Sequence, residues 1–358
     1  MKNLNRINHV IEHMKAQELS QIIVTSTPSI FYLTGLWIEP HERMLALYLD
    51  INGRLVLCGN RLFAIDENAV DFDLLLHSDT DNPISDLAGV VKSGVIGIDK
   101  QWQANFLLPL LEMRSDVAPK LGSSPVDLAR MIKDTQEIEN MRHASRVNDA
   151  AMAAVIAQLK EGCSETQLAS FLQETYVLLG ADFPIGTQLV CFGANAADPH
   201  HEPSGSVVKA GDCALFDIFT PVNRYWCDMT RTVYLGDVCK EQEKIYNLVK
   251  SANAAAIQKI APGVPMAEID KTARDIITDA GYGENFFHRL GHGCGIDCHE
   301  PPNCNSSSTA VAHEGMIFSV EPGIYIEGKY GVRIEDLVLV TKDGCEVLNK
   351  YSKDLQIV

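Results

Sequence analysis

Two aspartates, one histidine and two glutamates between positions 217 and 335 are of the types that hold divalent cations. They are Asp217 and Asp228 in LFDIFTPVNRYWCDMTRT, His292 in HRLGHGCGIDCHEPP, Glu321 in MIFSVEPGIYI and Glu335 in GVRIEDLVLV. Four carboxylates and one imidazole suit two dications side by side, because a carboxylate bridges metals and offsets their charge. Such a pair lowers the pKa of a shared water and polarises a carbonyl at the same time. That is hydrolase chemistry.

The competing reading is four structural carboxylates, each with an ordinary salt-bridge partner. Asp217 lies in the apolar run Ala214-Leu215-Phe216-Asp217-Ile218-Phe219, and Asp228 is flanked by Trp226, Cys227 and Met229. Glu321 follows Phe318-Ser319-Val320 and Glu335 follows Val332-Arg333-Ile334, so all four acids are expected on buried strands. A buried carboxylate needs a cation, a hydrogen-bond network or a raised pKa. Arg231 and Arg333 are the arginines nearest these acids in those segments, too few for four acids, which favours metal. His292 sits in Gly291-His292-Gly293-Cys294-Gly295, where glycine permits close backbone approach or positive φ. A GHGxG alone is a weak signal; His299-Glu300, seven residues on, adds a second imidazole.

In order and spacing these segments resemble the metallopeptidases of family M24 with the pita-bread fold. That group includes Xaa-Pro dipeptidase (prolidase), aminopeptidase P, methionine aminopeptidase and the metal-free creatinases. The Asp-x10-Asp, GHGxG…HE, SVEPGIY and GVRIED segments match bacterial Xaa-Pro dipeptidases and short aminopeptidases P best, and TPSIFYLTGL at 27–36 extends the match loosely into the first half. The resemblance implies an α/β (α+β) chain: a C-terminal pita-bread domain behind a smaller three-layer creatinase-type domain. It further implies that Asp217 chelates one metal, often through both oxygens, that Asp228 and Glu335 bridge the pair, and that His292 and Glu321 complete the second metal. Glu321 is then also the general base for a metal-bridging water, His200 of Pro199-His200 contacts substrate, and His299 steadies the tetrahedral intermediate. His201 is left as part of a polar loop.

The expected reaction is hydrolysis of the Xaa-Pro bond in dipeptides or short peptides. Aminopeptidase P action on longer peptides, a creatinase-like amidinohydrolase and a non-catalytic, metal-free scaffold are the alternatives. Manganese is the expected ion for an oxygen-rich site, with cobalt, iron and zinc as the other candidates. Thr230 and Arg333 are expected to support the ligands from behind, each two residues from an acid. Two departures from the family pattern stand out. Asn303 follows His299-Glu300-Pro301-Pro302 where prolidases carry a carboxylate-binding arginine, and Cys227 replaces a common serine.

At 358 residues the chain exceeds what one core usually supports, so two domains are expected. A net charge of -17 argues against a nucleic-acid partner, and no apolar run is long enough to span a membrane. Ten cysteines with no apolar leader after Met1 point to a reducing cytoplasm; a homodimer is expected from the resemblance. Cys294, Cys298 and Cys304 cluster but lack CxxC spacing, so they read as buried thiols rather than a zinc site. The apolar stripe from Leu4 to Met14 predicts a helix, residues 21–24 a strand, 43–50 and 54–58 a hairpin, and 95–99 a strand before a helix near 102–113. The first domain is drawn over 1–122, a linker and helix start over 123–134 with residues 120–125 as its most turn-like part, and the catalytic domain over 135–358. There, helical stripes from 138 to 159 and 168 to 179 precede the first two acids, and helices near 239–260 and 266–280 precede the rest.

Overall fold

The computed structural model describes residues 2–182 and 188–358. The chain divides into two compact units, Met1–Arg130 and Met131–Val358. The first unit contains α1 (Leu4–Ala16), β1 (Gln21–Val24), α2 (Thr27–Thr34), β2 (Ala46–Asp50), β3 (Leu55–Asn60), β4 (Asp73–His77), α3 (Pro83–Val90), β5 (Gly94–Ile98), α4 (Ala104–Met113), β6 (Val117–Leu121) and α5 (Ser124–Met131). Its strands form one mixed sheet in the order β4-β3-β2-β1-β5-β6. Ile23, Tyr48, Val56 and Ile96 on one face pack with Leu87 and Leu110 of α3 and α4. The alternate residues Ile22, Leu47, Leu49 and Leu57 are buried as well, so both faces of the sheet are covered. That explains why these strands read as unbroken apolar runs. The stretch 120–125, expected as the most turn-like part of the linker, holds the end of β6 and the start of α5, and the division between the units falls at residue 130, within the 123–134 stretch drawn as linker and helix start. Gly122 lies in close contact with the backbone of Gly97, which makes it a packing glycine rather than a hinge.

The second unit opens with α6 (Thr135–Ile156) and α7 (Glu165–Leu178), followed by β7 (Leu189–Phe192), β8 (Cys213–Val222) and β9 (Tyr225–Tyr234). Asp134 and Glu137 close a capping box at the start of α6, which fixes that boundary chemically. Helices α8 (Lys240–Lys259) and α9 (Met266–Asp279) come next, then β10 (Gly291–Gly293), β11 (Glu300–Cys304), β12 (Ile317–Val320), β13 (Gly323–Ile326), β14 (Tyr330–Arg333), β15 (Asp336–Thr341) and β16 (Gly344–Val347). Two helices followed by an antiparallel sheet therefore occur twice: β7-β8-β9 after the first pair, β11-β10-β12-β15-β16 with the β13-β14 hairpin after the second. This is the pita-bread arrangement. Leu172, Phe216, Met229 and Val155 belong to the core between the first helix pair and its sheet.

Arg231 joins the two sheets. It is 1% exposed, and donates to the carbonyl oxygens of Glu335 and Thr230, to Oδ1 of Asp336 at 2.7 Å, and to the carbonyls of Tyr351 and Ser352. Removing one partner of a buried ion pair leaves the other charge and its acceptors unsatisfied. Lys353 stays on Asp336 and softens the loss. Arg231→Ala is therefore expected to lower unfolding stability by about 3 kcal/mol, read from the guanidinium midpoint. A variant within about 0.5 kcal/mol of the unmodified protein would show that Arg231 is not a keystone.

Candidate metal centre

Strands β8 and β9 hold the two aspartates on one face for a countable reason. The hairpin turns at Asn223-Arg224, both at positive φ (53° and 68°), with Val222 opposite Tyr225. That register puts Asp217 opposite Thr230 and Phe219 opposite Asp228. Opposed residues share a face, as do residues two apart on a strand, so Asp217, Thr230 and Asp228 all face the same way. Asp182 accepts from the amides of Asn223 and Arg224 and pins the turn. A slip of one residue would turn both carboxylates out of the site.

His292 reaches the site from β10, and its neighbouring glycines are needed for close approach rather than for unusual φ. A Cβ at Gly291 would lie 1.9 Å from the Ser319 carbonyl oxygen, and one at Gly293 would lie 2.2 Å from that of Pro301. The two glutamates differ from expectation in placement: neither lies within a strand. Glu321 follows β12, with its amide on the Leu290 carbonyl and Oε1 accepting from Ser319 Oγ. Glu335 occupies the short link between β14 and β15, with its amide on the Thr230 carbonyl. Strand ends let both side chains turn inward without disturbing a ladder.

All five line one cleft of about 780 Å³, together with His200, His299 and Arg333. Asp228, His292 and Glu335 each offer an atom within 4.8 Å of the others. Nε2 of His292 is 3.4 Å from Glu321 Oε1 and 3.7 Å from Asp228 Oδ2. Asp217 divides its two oxygens between a cation of the protein and the cleft. Its Oδ2 accepts from Arg333 at 2.7 Å, while its Oδ1 is buried with no hydrogen-bond partner. Arg333 also donates to Thr230 Oγ1 and Tyr325 Oη, and Thr230 Oγ1 donates to Glu335 Oε2 at 2.7 Å. Thr230 and Arg333 thus contact the acids from behind.

Burial dominates the electrostatics. It pushes the carboxyls of Asp228 and Glu335 well above the usual range, reinforced by neighbouring acids. Glu321 is pushed up to about 7, by burial first, with Arg333 working the other way. His292 is lowered to about 3 by burial and then by His299, so it is neutral and able to offer a lone pair. An orphaned carboxylate oxygen beside a group of mutually repelling acids and a neutral imidazole is what a bound cation would resolve. The residues fit divalent metal.

Several neighbours escaped the sequence reading. His288 lines the cleft and its ring meets Tyr325 Oη at 2.9 Å, yet nothing in its local sequence marks it. Arg289 also lines the cleft, and its guanidinium donates to Asn303 Oδ1, so a cation does stand beside the asparagine. His201 is more than a loop residue: its Nε2 is 3.0 Å from the buried Glu165, which also binds Ser204 and the Phe192 amide and so fastens the segment carrying His200. Cys298 is the cysteine of the 294–304 cluster that is not buried; it lines the cleft. The rings of His292 and His299 meet edge to face at 4.0 Å. Lys133, bonded to Glu300 at 2.6 Å, holds the segment that presents His299.

Acids, neutral imidazoles and an enclosed cleft are the parts of a metal-dependent hydrolase. Comparison with known proteins gives the family. Residues 139–342 match Metallopeptidase family M24, and residues 6–132 match the Creatinase/Prolidase N-terminal domain. A peptidase of Staphylococcus aureus is 34% identical over 357 residues, covering 98% of this chain and 100% of its own. Among solved structures, a prolidase from Thermococcus sibiricus is 33% identical with a TM-score of 0.95, covering 100% of both chains. An Xaa-Pro dipeptidase from Bacillus anthracis is 28% identical with a TM-score of 0.90, covering 99% of both chains. The chain belongs to metallopeptidase family M24 and is a metallopeptidase.

The raised carboxyls give the metal-free protein a distinctive pH dependence. A Glu321 that titrates near 7 when folded and near 4.5 when unfolded binds more protons in the fold across that window. Stability conferred by the protonated form is lost as pH rises through the folded value. Below about pH 6.5 the lowered His288 and His292 oppose this, because the unfolded chain binds their protons, so the melting temperature of metal-free protein is expected to fall from about pH 6.5 to about pH 7.5. Saturating divalent metal, which requires deprotonated ligands, should reduce or reverse that fall. Calorimetry finding metal-free stability constant or rising across the window would contradict the burial argument.

Proposed function

We propose that this enzyme hydrolyses the bond before proline in Xaa-Pro dipeptides or short peptides. Two divalent ions held by Asp217, Asp228, His292, Glu321 and Glu335 are part of the same proposal. The observation that carries it is the convergence of Asp228, His292 and Glu335 within 4.8 Å on the cleft, with the unpartnered Oδ1 of Asp217 beside them. The likeness over the full chain to proteins described as a prolidase and an Xaa-Pro dipeptidase supports the substrate class. Bound ions would supply an activated water and a polarised scissile carbonyl. Manganese is proposed on the oxygen-rich donor set.

Glu321, with a carboxyl near 7, is suited to take the proton of the attacking water and return it to the departing nitrogen. His299, partly exposed to the cleft beside His292, is proposed to donate to the developing oxyanion, and His200 to contact the substrate. Leu189, Phe219, Trp226 and Phe287 offer an apolar wall for the proline ring. Arg289 is proposed to read the substrate carboxylate. Among the described residues Asn303 is its hydrogen-bond partner, whereas Arg333 is committed to Asp217, Thr230 and Tyr325. A cytoplasmic homodimer completes the proposal. Ten unpaired thiols support the reducing compartment, and no helix among the described residues is long and apolar enough to cross a membrane.

The two histidines separate the roles. His292→Ala is expected to lose metal as well as rate, and His299→Ala to keep its metal while turnover falls by about 10²-fold or more. Equal metal loss in elemental analysis of both would refute this division. A protein that binds no divalent metal, or one that leaves Xaa-Pro dipeptides intact when metal-loaded, would refute the function.

Substrate length tests the carboxylate. For a free Xaa-Pro dipeptide, Arg289→Ala should raise KM by about tenfold or more, and should change little for the C-terminally amidated form. An equal effect on both substrates would mean that the carboxylate is read elsewhere.

A further inference from the structure

Cys298 differs from the other cysteines in what it faces. Cys191, Cys213, Cys227, Cys294 and Cys304 each direct their thiol to a main-chain carbonyl. The thiol of Cys298 instead points at Oδ2 of Asp228, 3.4 Å away. That is the same oxygen that lies 3.7 Å from His292 Nε2. Cys298, Asp228 and His299 each offer a donor atom within 4.8 Å of the other two. The cluster therefore shares Asp228 with the imidazole–carboxylate group already described and extends it by a sulfur.

We propose that Cys298 is a sulfur ligand that lets this centre take a thiophilic divalent cation such as zinc, cobalt or cadmium. The inference rests on the metal-binding reading above and concerns which ion the site selects. An ion bonded to sulfur at about 2.3 Å and to oxygen at about 2.1 Å would subtend an angle of about 100° across the 3.4 Å gap, an ordinary angle between adjacent ligands. Binding replaces the S–H bond by a sulfur–metal bond, and the thiol proton leaves to solvent; no oxidant or reductant is needed. A site of carboxylates and imidazole already binds zinc more tightly than manganese, and a thiolate widens that preference. Cys294, four residues earlier, directs its thiol to the Trp226 carbonyl and also lies within hydrogen-bond reach of the Cys298 thiol, so its serine variant is the control for which sulfur binds.

Cobalt(II) titration of the full-length protein with reduced thiols tests this directly. The unmodified protein and Cys294→Ser are expected to show a near-ultraviolet sulfur-to-cobalt charge-transfer band; Cys298→Ser should lose it while keeping the visible bands of cobalt bound to oxygen and nitrogen. Zinc-over-manganese preference in competition dialysis should fall by about tenfold or more in Cys298→Ser. X-ray absorption at the zinc edge of the unmodified protein, which needs no variant, should record a sulfur scatterer at about 2.3 Å. Cobalt bound with no sulfur band, a band that persists in Cys298→Ser, or a zinc shell of nitrogen and oxygen alone would overturn the proposal and leave the peptidase reading intact. Failure of cobalt and zinc to bind at all would overturn both.

Discussion

Mutual repulsion among buried carboxylates is the constraint on which this structure turns. Asp228 and Glu335 are nearly inaccessible, and each raises the cost of ionising its neighbours. Charges removed from water this way persist only when something of opposite sign is held close. Arg333 supplies part of it within the protein, since its guanidinium reaches Asp217, Thr230 and Tyr325 from a position that is 3% exposed. One monovalent cation offsets one carboxylate. The remainder of the site stays protonated or bound to metal, so the chemistry and the stability of the catalytic unit are the same electrostatic problem.

Two sheets are built to bring that charge together at fixed spacing. In the first, a two-residue turn sets the parity that puts Asp217 and Asp228 on one face. In the second, glycines at 291 and 293 allow the His292 strand to lie against β12 and β11 at distances no side chain would tolerate. The join is made by main-chain bonds between Thr230 and Glu335 and by the buried Arg231. Carboxylates at strand ends, as Glu321 and Glu335 are, keep the ladders intact while aiming inward. The cleft that results is asymmetric. Charge and imidazole occupy one part, and Phe219, Trp226 and Phe287 occupy another.

Much of this was legible in the chain. Asp217, Asp228, Glu321 and Glu335 stand out because acids in or beside apolar runs are chemically anomalous wherever the fold puts them, and the helix and strand periods are local properties. Strand β1 and helices α8 and α9 follow such periods closely. The linker was misread because Gly-Ser-Ser-Pro is turn-like by composition, while in the fold Gly122 is pressed against Gly97 and Ser124 and Pro125 begin a helix. No local preference reveals a contact with a residue far away in sequence.

The same limit separates what the sequence determined from what tertiary structure decided. Residue types, their spacing and the family they resemble named the candidate donors and gave the class of chemistry, because those depend on which atoms are present. Partnerships depend on distances that arise only when remote segments meet. Arg289 sits beside Asn303 because β10 pairs with β11. His201 serves as an anchor because α7 brings Glu165 to it. Cys298 was read from spacing as one more buried thiol and became a neighbour of Asp228 once the segment after β10 folded over β9. Spacing along a chain carries periodicity, but the direction of a side chain in a loop is set by what packs around it.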